Sequence, residues 1–240
     1  MTEIAKYINL ITWDSDFFGF KVGICSPLIP SNMLDEVLEF CKKEGYKLVY
    51  LFIDPGNSYL NQAAIKNGGV LIDQRVTFKM TLKKPFEINS HIVIAKTDLL
   101  TPELLDIVLQ TGLYSRFYND SHFGKSKYEE LYTLWILKSL RKELADEVIY
   151  YLNGDTIIGY LTLQFKENVG YINLVGVNMH QQGEGIGKAL LAKAVNLSLD
   201  NNCSSLEVAT QLMNKKACNF YESFGFIQSN MKSIYHFWLQ

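Results

Sequence analysis

The stretch HQQGEGIGKALL, residues 180–191, places three glycines at alternate positions immediately before an apolar run. Gly183, Gly185 and Gly187 allow backbone N–H groups to approach a ligand closely, because glycine has no side chain and adopts conformations that other residues avoid. The helix predicted to follow points the positive end of its dipole at the same place. Since a strand-like run, YINLVGV at 171–177, precedes the loop, the order strand, glycine turn, helix predicts an anion-binding site.

Two familiar phosphate-binding patterns do not fit this loop. The Walker loop requires a glycine five residues before its Gly-Lys pair and a hydroxyl residue after it, but Gln182 and Ala189 stand at these positions. The dinucleotide-binding pattern G-x-G-x-x-G requires a third glycine where the chain has Lys188 or Leu190. The loop therefore belongs to neither of these two classes of nucleotide site.

The remaining pattern, V-x-x-x-x-Q-x-x-G-x-G, comprises Val177, Gln182, Gly185 and Gly187. It resembles the acetyl-CoA motif of the GNAT acyltransferase superfamily, in which the loop amides hold the pyrophosphate of coenzyme A. The resemblance implies a GNAT fold of the α/β class with a mixed sheet, and acetyl-CoA as the co-substrate. It also implies these cofactor-binding residues: Gln182, Gly183, Gly185, Ile186, Gly187 and Lys188. A glycine-rich turn without a ligand is the alternative that this stretch leaves open.

A second motif follows further along the chain, in NKKACNFYESFGF at 214–226. Asn214, Ala217 and Tyr221 fall on one face of a predicted helix that begins after Asn214 and ends near Gly225. A core stripe on a surface helix would also explain the aromatic residues. The pattern N-x-x-A-x-x-x-Y-x-x-x-G-F nevertheless resembles the second GNAT signature, and it stands in the order that the family has.

Acetyl transfer from a thioester to an amine requires an unprotonated amine, stabilisation of an oxyanion and a proton for the departing thiolate. Tyr221 is the predicted general acid, because a phenol of pKa about 10 is protonated at neutral pH. The N–H groups of Val175 and Val177 are the predicted oxyanion donors, since Gly176 between them weakens regular pairing. Asn214 is predicted to cap its helix, to contact the coenzyme arm as the resemblance implies, or to do both.

The composition of the 240 residues limits the function: 48% are hydrophobic and the net charge is −2. No basic excess indicates a nucleic-acid partner or an anionic membrane surface. The longest apolar runs, such as LVYLFI at 48–53, are strand-sized, and the first residues are too polar for a signal peptide. Four cysteines without C-x-x-C spacing or paired histidines predict no metal site, no disulfide framework and a cytoplasmic location.

The hydrophobic pattern predicts two α/β domains, a smaller one at 1–84 and a catalytic one at 91–240, separated by the polar stretch LKKPFEINSH. The sequence Asn153-Gly154 between two strand-like runs predicts a hairpin. The predicted strands are 18–25, 46–53, 70–82, 91–96, 146–152, 156–165, 169–177, 204–210 and 225–238. The predicted helices are 31–44, 57–67, 101–111 and the two motif helices.

The first domain resembles a degenerate copy of the second, because NSYLNQAAIKNGGV can be aligned with NKKACNFYESFGFI. The alignment pairs Asn57 with Asn214, Gly68 with Gly225, and Ala64 with Tyr221. Nothing before this stretch matches the glycine loop. A degenerate GNAT-like domain that keeps the fold without the chemistry is therefore predicted, with chance recurrence of helix-end residues as the alternative.

A narrower resemblance rests on WDSDFFGF at 13–20, SRFYND at 115–120 and the tryptophan-bearing helix ELYTLWILKSL at 130–140. Together with the two-block layout, they resemble the dTDP-fucosamine acetyltransferase family over nearly the whole chain, although these motifs are less specific. The resemblance implies acetylation of the 4-amino group of a dTDP-linked 4-amino-4,6-dideoxyhexose and is compatible with a homodimer. Arg116 is the predicted diphosphate ligand, with an ion pair to a nearby carboxylate as the alternative.

No general base is assigned from the sequence. His91 and His180 have no visible carboxylate partner, and His122 and His236 are no clearer. Two other functions stay open beside the nucleotide-sugar enzyme. One is a GNAT enzyme for another amine, such as a protein N-terminus, a polyamine or a drug; the other is a non-catalytic acyl-CoA-binding module.

Overall fold

The computed structural model describes residues 3 to 239 and forms two compact units. One unit runs as far as Val76 and takes up the chain again from Asn230, and the other is Thr77–Ser229. Each unit combines helices with parallel and antiparallel strand pairs, which confirms the predicted α/β class with a mixed sheet.

The first unit is a sheet covered by helices, and it includes the first part of β4 (Val70–Thr81), as far as Val76. After a 3-10 helix at Glu3–Tyr7, its elements are β1 (Ile8–Leu10), α1 (Thr12–Phe18), β2 (Lys21–Cys25), a 3-10 turn at Ser31–Met33, α2 (Leu34–Lys43), β3 (Tyr46–Ile53) and α3 (Ser58–Lys66). Its strands lie in the order β1-β2-β3-β10, where β10 (Ile227–Trp238) is the last strand of the chain. β2 is parallel to β3, whereas β10 is antiparallel to it. Side chains of α2 and α3, among them Val37 and Leu60, are buried against this sheet.

The second unit carries both motifs. Its elements are the end of β4 (Val70–Thr81), β5 (Ile92–Ile94), α4 (Pro102–Thr111), α5 (Arg116–Asn119), α6 (Gly124–Leu140), β6 (Glu147–Asn153), β7 (Thr156–Lys166), β8 (Val169–Val177), a 3-10 turn at Met179–Gln181, α7 (Ile186–Asp200), β9 (Ser205–Gln211) and α8 (Lys215–Phe224). The strand order is β4-β9-β8-β7-β6-β5. Asn153 pairs with Thr156 around Gly154, whose φ is 60°, so the predicted hairpin is confirmed.

The compact units differ in extent from the predicted domains 1–84 and 91–240. The division falls inside β4, between Val76 and Thr77, and again inside β10, between Ser229 and Asn230. Long-range strand pairing is the cause. The last part of β10 pairs with β3, while the end of β4 lies beside β9. Each unit therefore contains one strand from the other half of the sequence, and the hydrophobic pattern along the chain carries no signal for this exchange.

The polar stretch predicted as the domain boundary belongs to the second unit. The Leu82 N–H donates to the Ser204 carbonyl oxygen at 2.9 Å. The Asn196 side chain, on α7, accepts from the N–H of Phe86 and donates to its carbonyl oxygen, each at 2.8 Å. Phe86 also stacks on Phe224 of α8, with 5.4 Å between ring centroids. These contacts fix the stretch against α7 and α8.

One predicted strand begins later than expected. The strand predicted at 18–25 is observed as Lys21–Cys25, and most of WDSDFFGF forms α1. Gly19 ends this helix in a left-handed conformation, with φ 75°, and its N–H donates to the Ser15 carbonyl oxygen at 2.9 Å. Trp13 and Phe17 are four residues apart on this helix, and their rings stack with 5.4 Å between centroids. The run of apolar residues in the sequence did not predict this contact.

Candidate functional site

β8 and β9 separate part-way along their length. Their parallel pairing extends from Val169 opposite Ser205 to Ile172 opposite Val208 and ends there, although β8 continues to Val177. On its other side, β8 stays paired with β7 as far as Val177. The end of β8 therefore borders a gap on the side of β9.

Backbone N–H groups at the end of β8 point into this gap. The Asn178 N–H donates to the Ile158 carbonyl oxygen at 2.9 Å, on the side of β7. Because N–H directions alternate along a strand, the N–H groups of Val175 and Val177 point the opposite way. The two predicted oxyanion donors thus lie on the open edge, and their catalytic role stays a prediction.

Gly176 has a different role from the one predicted. It pairs with Tyr160 of β7, so it does not interrupt the strand. A Cβ atom built on Gly176 would collide with Thr111 and would lie 2.9 Å from Ile107 Cγ2. Glycine is required here because α4 crosses β8 at close range, and the gap arises instead where β8 departs from β9.

The glycine loop leads from the end of β8 into α7. Gly183 and Gly185 have φ values of 96° and 84°, which lie in the left-handed region that favours glycine. Gly185 is the N-cap residue and has no side chain with which to cap the helix. The Ala189 N–H makes the bond to the Gly185 carbonyl oxygen, at 3.0 Å, so the N–H groups of residues 186–188 have no partner within the helix.

The uncapped start of α7 contrasts with neighbouring helices. Thr101 caps α4 and Asn214 caps α8, each through a side-chain oxygen that accepts a backbone N–H. α7 instead presents amide donors and the positive end of its dipole to the loop, which is the arrangement by which helix N-termini bind phosphate. Ile186 is buried at this end and Lys188 is exposed.

Gly187 is required by the packing of α7 against α8. A Cβ atom on Gly187 would lie 2.9 Å from Cζ of Phe220, a contact too short for carbon atoms. The Phe220 ring therefore covers the first turn of α7. Gly187 lies in the helix itself, and this close approach, rather than a left-handed conformation, explains the third glycine of the motif.

Gly187→Ala is expected to destabilise the fold by about 1 to 3 kcal/mol, because the added methyl group overpacks the contact with Phe220. Thermal unfolding of Gly187→Ala, Phe220→Leu and the double variant measures the coupling. We expect the double variant to be more stable than the sum of the single effects predicts, since a smaller side chain makes room for the methyl group. Strictly additive effects would show that the two residues do not contact each other.

The Gln182 side chain forms hydrogen bonds within the protein. Its Nε2 donates to the Val177 carbonyl oxygen at 3.1 Å, and its Oε1 accepts a hydrogen bond from the Lys216 ammonium of α8. Gln182 thereby links the end of β8 to the first turn of α8. The sequence motif contains Gln182 but gives no sign of Lys216.

Tyr221 lies on α8 with only 4% of its surface exposed. Its ring packs against Phe78 and Phe226, with centroid distances of 5.7 and 5.8 Å. Burial raises the pKa of the Tyr221 hydroxyl well above its usual value, and nearby Cys218 adds a smaller upward contribution. The hydroxyl is therefore protonated at neutral pH, as a general acid must be. The Asn214 Oδ1 accepts the Ala217 N–H at 3.1 Å, which confirms the helix cap.

The segment between α4 and α6 contains Arg116, the remaining predicted site residue, and a histidine–aspartate pair that was not predicted from the sequence. Arg116 begins α5, and its guanidinium lies 4.5 Å from the centroid of the Phe117 ring. Nδ1 of His122 lies 2.7 Å from Oδ1 of Asp120, and Asp120 is buried. The spacing Asp-x-His in SRFYNDSH was the signal from which sequence reasoning could have found this imidazole–carboxylate pair.

Within residues 3–239, no helix is both long and apolar enough to cross a membrane. The same part of the chain contains no group of three or more His, Cys, Asp or Glu side chains arranged to hold a metal ion. The four cysteines are free thiols, and all are buried.

Residues 112–226 match the model of the acetyltransferase (GNAT) family, and this part of the chain is a GNAT acetyltransferase domain. A solved GCN5-related N-acetyltransferase from Sphaerobacter thermophilus has a similar fold, with a TM-score of 0.58. It is 13% identical, and the match covers 96% of this chain and 75% of that one.

Two curated relatives are similar in sequence over part of their length. The spore coat polysaccharide biosynthesis protein SpsD of Bacillus subtilis is 25% identical over 138 residues, which cover 58% of this chain and 47% of the relative. N-alpha-acetyltransferase 30 of Saccharomyces cerevisiae is 33% identical over 70 residues, or 29% of this chain and 39% of the relative. The chain thus spans about half the length of SpsD and less than half the length of N-alpha-acetyltransferase 30.

Proposed function

We propose that this protein transfers the acetyl group of acetyl-CoA to the 4-amino group of a dTDP-linked 4-amino-4,6-dideoxyhexose. The observation that carries the proposal is the gap between β8 and β9, which ends directly before the uncapped N-terminus of α7. The family match of residues 112–226 supports acetyl transfer. Similarity to SpsD, a polysaccharide biosynthesis protein, and the whole-chain resemblance to dTDP-fucosamine acetyltransferases support a sugar amine as the acceptor.

The residues of the loop suit the coenzyme chemically. In this proposal the N–H groups of Gly183, Gly185 and residues 186–188 bind the pyrophosphate, because amide donors at a helix N-terminus favour an anion. The Asn214 amide group contacts the coenzyme arm while its oxygen caps α8. The open edge of β8 supplies N–H groups to the acetyl carbonyl oxygen.

The proposed reaction forms a carbon–nitrogen bond and breaks a carbon–sulfur bond. The unprotonated amine attacks the carbonyl carbon, and negative charge develops on the carbonyl oxygen, where the N–H groups of Val175 and Val177 stabilise it. The carbon–sulfur bond then breaks, and Tyr221 donates its proton to the leaving thiolate. The surplus proton on the new amide nitrogen leaves to water, and Tyr221 regains a proton from solvent.

The raised pKa of Tyr221 is compatible with this role. A weaker acid gives up its proton less readily, but the burial that disfavours the phenolate disfavours a thiolate in the same site as well. The two pKa values therefore shift in the same direction, which limits the energetic cost of the proton transfer. Burial also keeps Tyr221 protonated as the pH rises through the ordinary range of a phenol.

We also propose that the first unit descends from a GNAT-like domain that lost its cofactor site. Asn57 caps α3 through a bond from the Leu60 N–H at 3.1 Å, as Asn214 does on α8. The Gly69 N–H donates to the Ala64 carbonyl oxygen at 2.9 Å, and the equivalent bond joins residue 226 to residue 221 at 3.1 Å. Alanine at 64 supplies no acid, and β2 stays paired with β3 to its end, so no gap opens.

The substrate is tested by comparing acceptors with the purified full chain and acetyl-CoA. We expect kcat/KM with the dTDP-linked amino sugar to exceed that with spermidine or a peptide N-terminus at least about tenfold, or roughly 1.4 kcal/mol in transition-state binding. Arg116→Gln should raise KM for the nucleotide sugar, because it removes the predicted diphosphate ligand. Faster turnover of the peptide would instead favour a relative of N-alpha-acetyltransferases. A cytoplasmic location and a homodimer belong to the same proposal.

A further inference from the structure

Lys216 lies beside the glycine loop. It precedes Phe220 by four residues on α8, so the two side chains share one face of that helix. The Phe220 ring covers Gly187 in the first turn of α7. The Lys216 side chain, one turn nearer the start of α8, therefore extends toward the loop that precedes α7.

A chain of hydrogen bonds fixes the position of the Lys216 ammonium. It donates to Gln182 Oε1, and Gln182 Nε2 donates in turn to the Val177 carbonyl oxygen at 3.1 Å. The carbonyl end of this chain is held by β8, because Val177 is still paired with Gly159 of β7. The ammonium is thereby held between the end of the open strand and the uncapped helix.

The charge of Lys216 is not neutralised by this contact. Gln182 is neutral and occupies one of the three donors of the ammonium group. No carboxylate among residues 3–239 forms an ion pair with Lys216. A fixed cation beside free amides at a helix N-terminus attracts the same kind of ligand as those amides, namely phosphate.

We propose that Lys216 binds a phosphate group of coenzyme A and that Gln182 is the positioning residue that holds its ammonium in place. The proposal rests on the proposed acetyl-CoA site. The motif resemblance assigned the cofactor contact to Gln182 itself. The geometry instead assigns the charged contact to Lys216, and Gln182 orients the Lys216 ammonium group.

Lys216→Met tests the proposal, because methionine keeps the length of the side chain and removes its charge. Isothermal titration of the full chain with CoA should show Kd about tenfold higher than for the wild type at low ionic strength. The difference should shrink in about 0.5 M salt, which screens charges but does not affect packing. Lys215→Met is the matched control. It removes the same charge from the neighbouring position, for which no hydrogen bond to Gln182 is found among the described residues, and should change Kd less than about twofold.

A second ligand identifies the phosphate. If Lys216→Met also weakens the binding of 3′-dephospho-CoA, Lys216 binds the pyrophosphate. If the variant and the wild type bind 3′-dephospho-CoA equally well, Lys216 binds the 3′-phosphate. A loss of CoA affinity no greater than that of Lys215→Met would overturn the proposal. A loss of affinity that is equal at low and high salt would also overturn it, since that indicates a packing role. If the wild type itself does not bind CoA, the acetyl-CoA site fails, which is a separate result.

Discussion

Tyr221→Phe is expected to lower kcat by about 10²- to 10⁴-fold, because it removes the proposed proton donor for the departing thiolate. The ring remains, so its contacts with Phe78 and Phe226 are kept and the fold should be little affected. The dissociation constant of CoA should stay close to that of the wild type, since the loss lies in the transition state. Steady-state kinetics, CoA titration and thermal unfolding on one preparation separate these effects.

Tyr150→Phe is the matched control for Tyr221→Phe. Tyr150 is also a buried tyrosine of the second unit, and burial raises its pKa to about 12, but it lies on β6. Its replacement should leave kcat within about threefold of the wild type, because β6 pairs with β5 and β7 and borders neither β8 nor β9. A fully active Tyr221→Phe variant, or equal losses in both variants, would remove Tyr221 from the role of general acid.

Gly185→Glu is expected to abolish CoA binding. The new carboxylate lies at the helix N-terminus, where it takes up the free amides and repels the phosphates of the coenzyme. No heavy atom lies within 4 Å of a Cβ atom built on Gly185, so the substitution causes no clash at Cβ and the chain should fold despite the strain of the positive φ. In a thermal-shift assay, CoA is expected to raise the melting temperature of the wild type by mass action, and this shift should disappear in the variant.

Two controls separate charge from backbone strain in this experiment. Gly185→Ala imposes the same positive φ on a residue with a side chain and should cost about 1 to 2 kcal/mol of stability while leaving a reduced CoA shift. Gly154→Glu places the same residue at another left-handed glycine, in the hairpin between β6 and β7, and should keep the full shift. An unchanged CoA shift in Gly185→Glu would place the coenzyme elsewhere.

The local features of the site could be predicted from the sequence. The alternate glycines predicted the loop, and the spacing of Asn214 and Tyr221 predicted the helix that carries them. Such features are local because caps, left-handed glycines and one-face periodicity depend on residues close together in the chain. The same reason explains why β3, between Tyr46 and Ile53, was predicted with its observed bounds.

The features that the sequence did not reveal depend on contacts between distant residues. The exchange of β4 and β10 between the units is one, because any apolar strand can pair with several partners. The contact of Lys216 with Gln182 is another, since 34 residues separate the two side chains. Gly176 and Gly187 were recognised as glycines of interest, but the side chains they accommodate, Ile107 and Phe220, come from other helices.

Hydrogen–deuterium exchange of the full chain, with and without CoA, tests the site most directly. Slower exchange is expected at the amides of residues 183–188 and at Val175 and Val177, because the ligand shields or bonds these N–H groups. The equivalent amides of the first unit, at the start of α2, should not change, since that unit lacks the loop and the gap. Protection at the start of α2, or none at residues 183–188 at a saturating CoA concentration, would contradict the assignment of this loop and strand as the acetyl-CoA site.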